Sequence, residues 1–224
     1  MEISPNVHLI PSGIVNIYLI IEPDGLTLID TGLAGNFKTI LKYIASLGKQ
    51  PTDLKRIILT HSDGDHVGAL AALKAATGAR VCANPIEARA IETGSISREL
   101  NVKGLQALLF KTIAGPLFKA KPAHVDDFID DGDVLPILGG LRVVATIGHT
   151  PGHISLYAPA HKLLFGGDSM VSEKSGLRVS RGMNTWDEAK AKEAVKIQAA
   201  LGAEIVCVGH GPVVRQAAGK FPVD

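Results

Sequence analysis

The sequence predicts a layered α/β fold, and three observations carry that expectation. The chain is 224 residues long and 46% hydrophobic, enough apolar material for a packed core in a single domain of roughly 200–250 residues. Over the first eighty-odd residues, short apolar runs alternate with segments whose apolar residues recur at helical spacing, a strand–helix–strand rhythm. After residue 134 the rhythm returns with four apolar runs, one long helix and a final strand.

Ile14 to Ile21 reads as a strand, Pro23-Asp24-Gly25 as a turn, and Leu26 to Ile29 as the next strand. A helix follows from about Asn36 to Leu47. Its Phe37, Ile40, Leu41, Ile44 and Leu47 share one face, and Gly48 stops it. Arg56 to Thr60 is a buried strand running straight into His61. Val67 to Thr77, rich in Ala and Leu and closed by Gly78, predicts a helix, and Ala79 to Ala83 a short strand. From about Pro85 to Pro122 the pattern changes to helical pieces, Ile86 to Glu92 and Leu105 to Ile113, separated by Gly and Pro. The Leu105, Leu108, Leu109 and Ile113 stripe fits ordinary core packing; a lid over substrate or a contact within a homodimer are the alternatives. Strands are then expected at Val134 to Leu138, Leu141 to Ile147, His153 to Tyr157 and Leu163 to Phe165. A helix from about Trp186 to Leu201, with Asn184 and Thr185 as candidate caps, leads to a last strand, Ile205 to Val208. No low-complexity linker divides the chain, so one domain over 1–224 with a helical insert at about 85–122 is expected.

Composition narrows the function classes. Twenty-three Lys plus Arg face 22 Asp plus Glu, a formal net charge of +1. That balance offers no basic footprint for nucleic acid and no polybasic membrane patch. The two cysteines, Cys82 and Cys207, lie far apart in apolar runs, which fits two buried thiols in a reducing compartment. The amino terminus carries no signal-peptide pattern, and no apolar run reaches the ~18 residues of a membrane span. A cytoplasmic protein acting on a small-molecule substrate is the expectation.

Chemistry concentrates in Thr60-His61-Ser62-Asp63-Gly64-Asp65-His66, where four metal-competent side chains fall just beyond a buried strand. Imidazole nitrogens and carboxylate oxygens together suit Zn²⁺ or a similar transition metal. Taken alone, the cluster also fits a solvated turn, with Asp65 capping the following helix. Three more loops shift the balance. Gly148-His149-Thr150-Pro151-Gly152-His153, Gly166-Gly167-Asp168 and Gly209-His210-Gly211-Pro212 each follow a predicted strand and set a His or Asp beside glycines. Loops beyond strand ends are where an α/β scaffold assembles a site. His153 reads as a satisfied structural histidine, His8, His124 and His161 as surface residues, and the cysteines as core.

This ordered set, H-x-x-x-D-H, G-H-T-P-G-H, G-G-D and a terminal G-H-G, resembles the metallo-β-lactamase superfamily of hydrolases. The likeness runs from Leu28-Ile29-Asp30-Thr31-Gly32 to His210. It implies a four-layered αββα sandwich with two divalent metal ions, most commonly zinc. His61 and His149 would bind the first ion, Asp65, His66 and His210 the second, and Asp168 would bridge both. Asp30 matches a position that supports the site from behind its ligands. One departure matters: where the family pattern has a second histidine, this chain has Asp63. A carboxylate can still bind, but it is harder and anionic, which makes iron or manganese more competitive and a bound water less acidic. The alternative is that Asp63 falls short of the metal and leaves the first site weak.

The reading that follows is a metal-dependent hydrolase. Two cations about 3.5–4 Å apart would supply an activated hydroxide near neutral pH and polarise an ester, lactone, thioester or phosphoester. Asp65 and Asp168 would hold the hydroxide by hydrogen bonds. Arg178 and Arg181, in the loop from Glu173 to Asn184, are candidates for an anionic substrate group, with solvated surface charge as the plain alternative. Two competing readings are a non-haem iron oxidoreductase, motivated by Asp63, and a binding domain braced by metal.

Overall fold

The computed structural model describes residues 1–99, 119–174, 176–182 and 185–222. These divide into two compact units, 1–97 with 119–128 and 98–99 with 129–222. The predicted helix at Leu105 to Ile113 and the candidate cap Asn184 lie outside the described residues.

The first unit is built on a seven-stranded sheet in chain order: β1 (Glu2–Ser4), β2 (Val7–Ile10), β3 (Ile17–Glu22), β4 (Gly25–Ile29), β5 (Leu54–Ile58), β6 (Arg80–Ala83) and β7 (Asp127–Phe128). The early strands form an antiparallel meander, and β4 to β7 pair in parallel. The switch follows from the connections, since parallel neighbours need crossovers and the helices supply them. Helix α1 (Asn36–Ser46) links β4 to β5; α2 (Gly64–Val67) and α3 (Leu70–Thr77) link β5 to β6. Helix α4 (Pro85–Thr93) follows β6 and is capped by the Asn84 side chain, which accepts the Ile86 N–H at 3.0 Å. Ile40 and Ile44 of α1 are fully buried with Leu19, Leu28 and Ile57, and Phe37, Leu41 and Leu47 pack at the edge of that core. The predicted α1 face is therefore the buried one.

The continuous helix expected over Val67 to Thr77 is instead two. A Cβ on Gly68 would sit 2.6 Å from the backbone nitrogen of Ala34, so only glycine lets these two chain segments approach, and the helix breaks there. Helix α2 also begins earlier than expected, inside the His/Asp cluster. Asp63, not Asp65, occupies its N-cap position, and Asp65 and His66 ride on its single turn.

The second unit holds a six-stranded sheet ordered β15-β14-β11-β10-β9-β8 and a separate hairpin. Its strands are β8 (Val134–Leu135), β9 (Leu141–Ala145), β10 (Ile154–Ala158), β11 (Leu163–Gly167), β14 (Ile205–Val208) and β15 (Val214–Arg215). Only β11 and β14 pair in parallel, with helix α5 (Glu188–Ala200) in the crossover between them. The hairpin pairs β12 (Met170–Glu173) with β13 (Gly176–Val179), where the sequence predicts only loop. Helix α5 starts two residues later than expected because Asp187 takes the cap, accepting the N–H groups of Ala189 and Lys190, both at 3.0 Å. No described helix is long and apolar enough to cross a membrane.

Candidate functional site

The first unit brings Asp30, His61, Asp63, Asp65 and His66 to the ends of β4 and β5. Asp30 follows β4 with φ +57°, a left-handed backbone that turns its carboxylate toward the neighbouring strand end. There it accepts three hydrogen bonds: Thr60 N–H at 2.9 Å, the Thr60 hydroxyl at 2.8 Å and His66 Nδ1 at 2.8 Å. Asp30 is 3% exposed and His66 fully buried. The network assigns the tautomers. A carboxylate only accepts, so His66 carries its proton on Nδ1 and presents the Nε2 lone pair. The Thr60 hydroxyl gives its proton to Asp30, so it accepts from His61 Nδ1 at 2.9 Å, and His61 likewise presents Nε2. That is how a ligating imidazole is oriented by a partner on its other nitrogen. The two rings lie 4.1 Å apart, centroid to centroid.

Asp63 reaches this cluster. Its Oδ2 lies 3.6 Å from His61 Nε2. Two donors bound tetrahedrally to one zinc at 2.0–2.2 Å sit about 3.4 Å from each other, so this separation suits a shared cation. The loop is anchored from below. The carbonyl of His66 accepts both the N–H and the hydroxyl of Thr31, at 2.7 and 2.8 Å. Buried Glu87 of α4 accepts the Ser62 N–H at 2.9 Å and the Ser97 hydroxyl at 2.9 Å. Neither anchor is legible in sequence. Glu87 sits on an otherwise ordinary helix turn, and only the tertiary contact reveals it.

The second unit gathers His149, Asp168 and His210 at the ends of β9, β11 and β14. Asp168 Oδ2 lies 3.7 Å from His149 Nε2 and 3.2 Å from His210 Nε2, the same spacing logic on both sides of one carboxylate. Nδ1 of His149 bonds Ser180 Oγ at 3.2 Å, again leaving Nε2 toward the carboxylate. His149 and Asp168 are 3% and 7% exposed, and His210 is half-buried. The His149 loop is docked on the start of α5, its carbonyl accepting Trp186 N–H at 3.0 Å and that of Gly148 accepting Asp187 N–H at 2.9 Å.

The remaining expectations sort plainly. His153 is fully buried and hydrogen-bonded, as a structural histidine should be. His8 and His124 do have partners: His8 Nδ1 meets Tyr43 Oη at 3.1 Å and His124 Nδ1 meets Glu92 at 2.8 Å. Arg178 lies on β13 and pairs with Glu173 of the same hairpin at 2.9 Å, and Arg181 is exposed just beyond it. Both cysteines are buried, and burial pushes the Cys82 thiol up to about 11.

With each cluster in place, comparison with known proteins places the chain. The model of the metallo-β-lactamase superfamily matches residues 10–210, a span that includes every candidate metal-ligating residue described above. The chain belongs to the metallo-β-lactamase superfamily. It is therefore of the metal-binding hydrolase class, and its mixed α/β fold is the one those proteins share. It is 30% identical over 231 residues to the probable metallo-hydrolase YflN of Bacillus subtilis, covering 94% of this chain and 85% of that one. A hydroxyacylglutathione hydrolase of Aeromonas hydrophila is 30% identical over 161 residues, covering 71% of this chain and 48% of that one. Among solved structures, the family protein TTHA1429 of Thermus thermophilus superposes with a TM-score of 0.74 at 25% identity, covering 96% of this chain and 77% of that one. A Cronobacter sakazakii enzyme described by its HARLDQ motif gives 0.73 at 26% identity, covering 94% and 77%.

Proposed function

We propose that this protein is a dinuclear metal-dependent hydrolase of a small acyl substrate, with a thioester as the first bond class to test. In this reading both clusters ligate one pair of divalent cations: His61, Asp63, Asp65 and His66 from the first unit, His149, Asp168 and His210 from the second. The observation that carries it is the orientation of the imidazoles. In His61, His66 and His149, Nδ1 is committed to a protein oxygen, which makes Nε2 the donor, and for His61 and His149 a carboxylate oxygen stands 3.6 and 3.7 Å away. Hydrogen bonding alone would favour contacts nearer 2.8 Å. The thioester preference rests on the similarity to hydroxyacylglutathione hydrolases, of which this chain spans about half the length.

When bound, the cations supply Lewis acidity and lower the pKa of water toward neutrality. The chain's own residues do the rest. Asp30 and Thr60 fix two tautomers, so neither ring loses time in the non-ligating form. Asp65 and Asp168, one in each unit, offer carboxylate oxygens that accept a proton or hold a water molecule by hydrogen bonds. Asp63 adds a negative charge where the family pattern has a neutral ring. That charge weakens the acidification of water and makes iron or manganese stronger competitors for zinc.

The test pairs metal content with turnover. Protein purified without added metal is expected to carry about two divalent ions per chain and to hydrolyse members of a panel of thioesters, esters, lactones and phosphodiesters. His66→Ala is expected to lose turnover while keeping its circular dichroism spectrum. A metal-free wild-type protein, or full turnover in His66→Ala, would overturn the proposal.

A further inference from the structure

Beneath the second cluster lies a polar network that the hydrolase reading does not use. Thr146, His153, Ser155, Ser169 and Gln198 are all 0% exposed. Five polar side chains in a core are costly unless their bonds are made, and here they are made to one another and to the loop that carries Asp168. His153 Nε2 accepts the backbone N–H of Asp168 at 3.0 Å, and His153 Nδ1 lies 2.8 Å from Thr146 Oγ1. Thr146 Oγ1 is 2.8 Å from Ser155 Oγ, which donates to the Gly166 carbonyl at 3.1 Å. The Ser169 hydroxyl donates to the same carbonyl at 2.7 Å and meets Gln198 of α5. Gly166 and Asp168, the two ends of the G-G-D turn, are thus held by the side chains of Ser155 and Ser169 on one side and His153 on the other, with Gln198 of α5 bracing the two serines.

Direction can be assigned along this chain. A backbone N–H can only donate, so His153 Nε2 must be the bare nitrogen and Nδ1 the protonated one, giving its hydrogen to Thr146. His153 thus has the same tautomer as the candidate ligands His61 and His66, but its Nε2 lone pair is spent on the main chain of Asp168. It also stands 6.0 Å from the His149 ring, edge to face.

We propose that His153 is a positioning residue for the reaction, setting the backbone of Asp168 so that its carboxylate can serve His149 and His210 at once. The proposal rests on the reading of Asp168 as a metal ligand. Because the contact runs through one nitrogen only, its two ring nitrogens can be tested separately. In His153→Gln the amide oxygen falls near the Nε2 position and can still accept the Asp168 N–H. In His153→Asn the shorter amide reaches only the Nδ1 position, keeping Thr146 and dropping Asp168. His153→Leu drops both.

Metal affinity is read by competition with a chromophoric chelator, alongside kcat, KM and thermal midpoint. Loss of an outer partner of a ligand costs about 10–100-fold in metal affinity or activity. Leu and Asn are expected to fall by that factor in affinity for at least one ion and in kcat, with KM little changed, while Gln stays within a few-fold of wild type. Should Leu fail to fold, Gln against Asn decides. Equal affinities and kcat values for Gln and Asn, or for all variants and wild type, overturn the positioning role while leaving the hydrolase reading standing. A wild-type protein that binds no metal overturns both.

Discussion

Gly148→Ala probes the coupling between the His149 loop and helix α5. Gly148 has φ +151°, a region that side chains rarely adopt, and an added Cβ would overlap the backbone nitrogen and Cα of Ala191. The backbone strain costs about 1–3 kcal/mol. Pushing a methyl group into a closed contact costs a further 1–3 kcal/mol or so, and helix backbone cannot swing aside as a flexible side chain can. The sum is about 4 kcal/mol, which for a chain of this size lowers the thermal midpoint by roughly 8–16 °C. Gly202→Ala supplies the control. Gly202 has φ +71° with nothing within 4 Å of the added Cβ, so it isolates strain alone, about 1–2 kcal/mol or roughly 2–8 °C. Scanning calorimetry on both variants, with metal content measured in parallel, separates collision from strain. Because the segment leading into α5 holds the His149 carbonyl through the Trp186 N–H, Gly148→Ala is also expected to lose metal while Gly202→Ala keeps it. Equal midpoints, or full metal content in Gly148→Ala, would refute the docking argument.

Three further predictions follow the same geometry. Asp30→Asn keeps an oxygen for Thr60 N–H but turns an amide donor toward His66 Nδ1, forcing the proton onto Nε2; titration with zinc should show about 10–100-fold weaker binding with far-ultraviolet dichroism unchanged, and unchanged affinity would dismiss the tautomer lock. Asp63→His replaces a carboxylate that already reaches His61 with the neutral ring of the family pattern, so zinc binding should hold or tighten. A sharp loss in that variant would show that the carboxylate has its own geometric role. Cys82, pushed up to about 11 by burial, is about one part in a thousand thiolate at pH 8, and Cys207 is fully buried. A thiol reagent should therefore label neither in the native protein and both in denaturant; rapid native labelling would contradict the burial.

Much of this arrangement is legible in the sequence, and what is not has physical causes. The four loops with His or Asp beside glycine announce themselves because metal-competent side chains cluster in spacing and follow apolar strands. The buried faces of α1 and the central strands are equally plain, since their periodicity is strong. The strands β1, β2 and β7 are short, and alternation over two to four residues is too little to read. The break at Gly68 depends on the backbone near Ala34, thirty-four residues away, and no local signal carries it. Nor does any local pattern reveal that Asp187, rather than Thr185, caps α5, or that Glu87, Thr31 and His153 brace the donor loops. Asp187 caps through bonds only two and three residues on, whereas Glu87, Thr31 and His153 act through tertiary hydrogen bonds, and a single sequence records their identity but not their partners.

The account stands on two groups of side chains, residues 61–66 and residues 149, 168 and 210, serving the same ions. Anomalous diffraction from a crystal of the protein as purified, with data on either side of the absorption edge of the metal found, tests this most directly. The account predicts two peaks per chain, each bordered by donors from both groups, with Asp168 touching both. A single group holding all the metal, or no peak at either, would contradict it.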